Sequence, residues 1–250
     1  MKKILSLILV MILAFSVIAL AACQPADDGT IDTLAGKTPE ELYQLSQEKL
    51  REATSYSVYS AQVITMTYGG QSMVMNQTVN SKVNGDNTYS KVENDTSPAN
   101  NMEAWYIDGT VYGITQGMKI KSNITKEEYM EKYMGTDPSE STLLDIPQSW
   151  FENIVFEKEG DGWALNFVVS GEKYTQVFKN IGLQGATISG DVNYKMIFTA
   201  DGELVKLVTS FDMLVQGVTA HCDSISEITI GAVTVTAPEN PDSFQYVTLN

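Results

Sequence analysis

The sequence predicts a protein of the α+β class, built on one large curved antiparallel sheet with a few helices on its concave side. Three observations carry this reading. Five turn dipeptides (Gly69-Gly70, Asn84-Gly85, Asp108-Gly109, Asp161-Gly162 and Asp201-Gly202) each lie between β-rich runs, and such pairs supply the positive φ angles of tight hairpins. Several runs alternate apolar and polar residues, the mark of a sheet with one face covered and one wet. Helical signals are few and separate the strand runs.

The first helix opens at Thr38-Pro39-Glu40-Glu41, a capping box with Pro at the first helical position. Leu42, Leu45, Leu50 and Ala53 then follow at helical spacing, predicting a one-sided apolar stripe that needs a partner surface. Strands begin after Ser55. Met73 and Met75 share a face with Val79 and Val83. Asp95 to Asn101 reads as a polar loop. A second capping box, Thr125-Lys126-Glu127-Glu128, opens a helix over 126–134, and Leu143 to Asn153 reads as one or two helical turns broken near Pro147. Beyond it, Trp163, Leu165, Phe167 and Val169 share one strand face. Glu172 to Ile181 is a further helix, with Tyr174, Val177, Phe178 and Ile181 on one side and Gly182 as its C-cap. Val192, Tyr194, Met196 and Phe198 alternate with polar neighbours, and Val205, Leu207, Phe211, Met213 and Val215 do the same. No internal repeat and no interdomain linker interrupts this order, so residues 39–250 read as a single domain.

The N-terminus carries the three parts of an export signal: Lys2 and Lys3, an apolar run from Ile4 to Ala19, and small residues before a cleavage point. Leu20-Ala21-Ala22-Cys23 resembles the lipobox of bacterial lipoproteins. That resemblance implies diacylglyceryl attachment to the Cys23 thiol and cleavage before it, so residues 1–22 read as the signal peptide. The other readings are an ordinary secretory signal or an uncleaved transmembrane anchor. Gln24 to Thr38 is polar, contains Pro25, Gly29 and Gly36, and reads as a flexible tether. The expected location is the extracytoplasmic face of the cell membrane, held there by acyl chains.

Composition narrows the function classes. The chain has 250 residues, 43% hydrophobic, with 16 basic and 31 acidic side chains and a formal charge of −15. Nucleic acid is not an expected partner, because phosphate binding needs basic surface. One His and two Cys leave little material for a zinc or iron–sulfur centre, and no cofactor is expected. Removing residues 1–22 takes away two lysines and no acid, so the mature chain is more acidic still and is repelled by anionic lipid.

No catalytic residue stands out. His221 and Cys222 adjoin, but neighbours on a strand point to opposite faces, so the expectation is a buried structural thiol and an exposed imidazole. The carboxylates Asp137, Glu140, Asp145, Glu157, Glu159 and Asp161 flank turns or helix starts, as solvated acids do. Nine of the methionines follow Cys23, and Met suits irregular apolar space and promiscuous binding surfaces.

The element order resembles the LolA/LppX-like group of half-barrel lipoproteins over roughly Thr38 to Asn240. The stretch Trp105-Tyr106-Ile107-Asp108-Gly109-Thr110-Val111-Tyr112, a paired-strand turn flanked by aromatics, illustrates the pattern. The resemblance implies an unclosed barrel sheltering an acyl chain or other apolar ligand beneath its helices, in a protein that is not an enzyme. It carries no site residue across by motif. The candidate cavity lining comes from the residues themselves: Met73, Met75, Trp105, Trp163, Phe167, Phe211 and Met213, each in a β run. The same pattern fits a solid core, which would leave a non-enzymatic binding or sensing module of the cell envelope.

Overall fold

The computed structural model describes residues 37–129, 148–180, 185–215 and 217–247, and of these not the side chains of 51, 148 and 176–180. One open sheet of 12 strands organises them, in the order β12-β6-β5-β4-β3-β2-β1-β11-β10-β9-β8-β7. The strands are β1 (Ser55–Tyr68), β2 (Gln71–Asn84), β3 (Asn87–Asn94), β4 (Met102–Ile107), β5 (Thr110–Thr115), β6 (Met118–Asn123), β7 (Phe151–Glu159), β8 (Gly162–Ser170), β9 (Ala186–Phe198), β10 (Leu204–Val215), β11 (Val218–Ile230) and β12 (Gln245–Tyr246). Every pairing is antiparallel except β12 with β6. The first strand lies beside the eleventh, so the two meanders β1–β6 and β7–β11 join at the middle of the sheet.

Among the described residues three α-helices accompany the sheet: α1 (Pro39–Glu52), α2 (Lys126–Tyr129) and α3 (Gly171–Asn180). The capping box of α1 forms as its sequence dictates: Glu41 N donates to Thr38 Oγ1, and Thr38 N donates to Glu41 Oε2 at 2.8 Å. Its buried stripe is Leu42, Tyr43, Ser46 and Gln47, with Leu50 partly covered. Leu45 is only half-buried and Ala53 caps the helix, so the stripe is more polar than the expected Leu42-Leu45-Leu50-Ala53 series. The second capping box opens α2, with Glu128 N donating to Thr125 Oγ1. The expected continuation to residue 134 lies outside the described residues, as do the turns expected over 143–147 and the Gly182 cap. Residues 148–150 form a single 3-10 turn, and Phe151, Glu152 and Asn153, expected to be helical, instead open β7. Phe151 stacks on Phe167 at 4.0 Å between ring centroids, and this packing fixes it on the sheet.

The helices and the main core share one face of the sheet, the inner face. Its core joins Leu42 and Tyr43 of α1, Tyr174 of α3 and the inward side chains of β1, β2 and β7–β11. The alternation read from sequence holds on β8 and β9. On β10 a register shift between Leu204 and Lys206 places Leu204 in the core and leaves Val205 only half-buried, so Leu204 takes the position expected for Val205. A smaller aromatic core occupies the opposite, outer face: Trp105 lies edge-on to Phe244, as does Tyr112, and Tyr89 leans on Trp105. The C-terminal segment carrying Phe244 ends in β12 and covers the edge of β6.

Candidate functional site

Residues directly opposite in an antiparallel ladder share a face, so the registers resolve the inner face into transverse rows. The first runs Met213, Ala220, Met66, Met73 across β10, β11, β1 and β2, and the second Phe211, Cys222, Ile64, Met75. The third is polar across six strands: Tyr194, Thr209, Ser224, Gln62, Gln77 and Asn94, all buried. The fourth mixes Leu207, Ser226, Ser60, Val79 and Val92 and continues to Met102, Thr115 and Met118.

The polar row is stitched by hydrogen bonds. Gln77 Nε2 donates to Gln62 Oε1 at 3.2 Å, and the hydroxyls of Ser60 and Ser226 meet at 2.7 Å in the row beside it. The Tyr194 hydroxyl pairs with that of Tyr174 on α3, and burial pushes both phenols above the ordinary tyrosine range. Asn94 Oδ1 accepts from the backbone of Thr96 and Ser97, which shapes the loop after β3. Gln77 Oε1, Asn94 Nδ2 and Gln47 Nε2 of α1 are buried with no hydrogen-bond partner among the described residues. A buried amide atom of this kind calls for water or a ligand group.

The structure distributes the candidate lining unevenly. Met75, Phe167, Phe211 and Met213 sit in the main core, with Trp163 packed against it and stacked on Phe156. Met73 shares their face but is exposed. Trp105 is on the outer face, under Phe244. Sequence reasoning missed Met102 and Met118, which lie on the inner face and are exposed, and it missed the buried polar row. The signal for that row was present: Gln62, Gln77 and Asn94 occupy core-parity positions of their strands. Cys23 lies outside the described residues.

A cavity of about 240 Å³ lies on the outer face instead, between Asn153, Asn166, Asn193, Lys195 and Ser210 over Val208. Polar side chains ring it, but most of its accessible lining is apolar. Asn166 Nδ2 donates to Glu157 at 2.9 Å, and the Lys195 ammonium is held by Glu159.

His221 and Cys222 diverge. Cys222 is buried on the inner face, and burial pushes its thiol up to about 12. His221 is half-exposed on the outer face, with Nδ1 2.8 Å from Asp212 and Nε2 3.2 Å from Asp223. The hydrogen bond to Asp212 leads in raising its pKa above the usual histidine value. Both imidazole nitrogens are thus engaged by carboxylates, and the thiolate that a nucleophile pair requires is disfavoured. Among the described residues no cluster of His, Cys, Asp or Glu could hold a metal ion, and no helix is long and apolar enough to cross a membrane.

The chain is similar in structure to LprF from Mycobacterium bovis. The match has a TM-score of 0.41 at 13% identity and covers 80% of this chain and 95% of that one. A DUF1329 family protein from Desulfovibrio piger matches with a TM-score of 0.29 at 13% identity, over 78% of this chain and 93% of that one. A domain assigned as an outer membrane lipoprotein-sorting protein, from Vibrio parahaemolyticus, matches with a TM-score of 0.27 at 12% identity, over 80% of this chain and 94% of that one. No family model and no curated protein matches the sequence.

Proposed function

We propose that this protein is a non-enzymatic, extracytoplasmic lipoprotein, anchored in the cell membrane through Cys23, that binds or carries an acyl chain along the inner face of its sheet. The observation that carries this reading is the loss of cover at one end of that face. Most inward apolar side chains are packed away, but Met73, Met102 and Met118 face the same side and are exposed. Methionine is flexible and polarizable, and suits a seat for a chain of variable shape. Covering apolar surface stabilises a bound chain by roughly 25 cal/mol per Å² removed from water.

The test is native mass spectrometry of the mature protein, with lipid extraction of what co-purifies. The expected spectrum shows a chain starting at Cys23 with a diacylglyceryl-sized increment and a second, releasable lipid. A Cys23→Ala variant is expected to remain as unprocessed precursor. A soluble, processed wild-type chain with an unmodified Cys23 overturns the anchor. The absence of releasable lipid, together with no saturable uptake of a fluorescent fatty acid, overturns the carrier.

A second reading is favoured by a specific observation. Met75, Phe167, Phe211 and Met213 are nearly inaccessible within one contiguous cluster. That is the packing of a filled core, and on this reading the protein is a binding or sensing module of the cell envelope that works through its edges and loops.

A further inference from the structure

We infer that the sheet rim formed by the β1–β2, β5–β6 and β10–β11 turns is a docking surface for the uncharged region of a lipid bilayer. Strands alternate in direction across the sheet, so the turns sort onto two opposite rims. One rim takes the connections β2–β3, β4–β5, β7–β8 and β9–β10, and β6 also ends there. Each of these carries acid: Asp86, Asp108, Glu159 with Asp161, Asp201 with Glu203, and Glu127 with Glu128. The other rim takes Tyr68-Gly69-Gly70-Gln71, Thr115-Gln116-Gly117-Met118 and the turn between Val215 and Val218, none of which has a charge, together with the β3–β4 connection, which opens on Asp95, and the α3 connection from β8 to β9, which carries Glu172 and Lys173.

The contrast is written into the sequence. In a chain of formal charge −15, no charged residue occurs from Ala53 to Ser81, nor from Met213 to Ala220. The uncharged part of this rim also exposes large apolar side chains: Tyr68 at 64%, Met118 at 57% and Val74 at 50%, with Met73 and Leu214 beside them. Such residues scattered singly over a surface need no explanation; here they gather at one rim. The acids nearest to the β1–β2 hairpin are held by partners: Asp95 by the backbone N–H and the side-chain amide of Asn76, and Asp212 and Asp223 by the imidazole of His221. Glu152 and Lys173, toward the β7–β8 side, neutralise each other at 3.2 Å.

An acidic protein is repelled by an anionic surface everywhere except where it carries no charge. An amphipathic Tyr and flexible Met side chains suit the boundary between head groups and acyl chains. The occupant is therefore a bilayer surface. This contact rests on the anchor reading above, and the tether permits it. Residues 24–38 reach roughly 50 Å when extended, and the 14 residues of β1 span about 46 Å.

The test uses the full-length lipidated protein in phosphatidylcholine vesicles, with one reporter cysteine at a time, Gln71→Cys on this rim or Asp201→Cys on the other, each carrying a fluorescent label. Cys222 is buried and stays unlabelled. A several-fold loss of quenching by aqueous iodide at position 71 but not 201 is expected, with quenching by brominated lipid gained at 71 alone. Tyr68→Glu with Val74→Glu is expected to restore iodide access at 71 without moving the melting temperature. Protein that floats with the vesicles while label 71 stays in water overturns the rim contact alone. Protein that does not float overturns rim and anchor together. Shielding that appears without vesicles and grows with protein concentration makes a second copy the occupant and overturns the lipid assignment.

Discussion

At the scale of single residues, Met213 separates the carrier from the filled-core reading. It is fully buried between Ile188 of β9 and Ala220 of β11. Met213→Trp adds volume where none is free, so on the filled-core reading it lowers stability by about 1–3 kcal/mol, measured by urea denaturation. If the side chain instead borders an acyl chain, the same change weakens fatty-acid uptake and leaves the denaturation midpoint nearly in place. His221 gives a pH-dependent prediction. Its folded pKa is raised by the Asp212 hydrogen bond and by the charge of Asp223, with Thr65 of β1 facing it across the strand. A raised histidine pKa contributes stability that is fully present below the ordinary value near 6.5 and is lost as pH rises through the raised one. The melting temperature should therefore fall modestly across that window. Because the pair is half-exposed, the contribution is under about 1 kcal/mol. Asp212→Asn should flatten the profile, and an unchanged profile in that variant would remove Asp212 as the cause.

At the scale of elements, a close approach and a strap can be tested. A Cβ at Gly162 would stand 2.0 Å from the Phe198 carbonyl oxygen. Gly162→Ala must therefore push the start of β8 away from β9, and should cost on the order of 1–3 kcal/mol or more in thermal denaturation. The strap is the C-terminal segment, in which Phe244 closes the outer core over Trp105 and Tyr112 with the Lys119 ammonium above its ring. Phe244→Ala should cost roughly 3–5 kcal/mol and turn the emission of Trp105 toward that of a solvent-exposed indole. The legibility of elements followed the same physics. Caps and alternation were readable because they are local: Thr38 binds a backbone three residues on, and the inward residues of β8 and β9 repeat at period two. The β5–β6 and β10–β11 turns were missed. Their sequence signal, Gln before Gly, is weaker than Asn-Gly or Asp-Gly, although Gln116 and Gly117 adopt φ of 50° and 77°. The helical assignment of Phe151 failed because its place is decided by stacking on Phe167, sixteen positions away. The candidate lining was legible in type but not in placement. Alternation shows which residues share a strand face, but the face that Trp105 joins is set by a segment more than a hundred residues later.

At the scale of the whole molecule, charge and topology act together. Most acids in turns lie on one rim, and β-hairpin geometry holds them at fixed separations across the sheet. Their mutual repulsion opposes the fold, and the pairs of Asp86 with Lys126, Glu159 with Lys195 and Glu203 with Lys49 compensate it only in part, because basic residues number 16 against 31 acids. Monovalent salt should therefore stabilise this protein. Raising NaCl from about 0.01 to 0.5 M shortens the screening length from roughly 30 Å to a few ångströms, which removes repulsion between turns on neighbouring hairpins. It weakens the exposed pairs Lys49–Glu203, Lys91–Glu93 and Lys206–Glu227 as well, but each of these contributes little. The net expectation is a melting temperature that climbs with salt, followed by scanning calorimetry in the chloride series. Neutralising Asp201 and Glu203 together should reduce the climb, since they sit side by side on the acidic rim. Neutralising Asp212 and Asp223 should reduce it less, because His221 lies between them and, when protonated, offsets one of their two charges. A melting temperature that falls as salt is added would mean that the surface ion pairs outweigh the repulsion between turns, and the sorting of charge onto one rim would then have no energetic consequence for the fold.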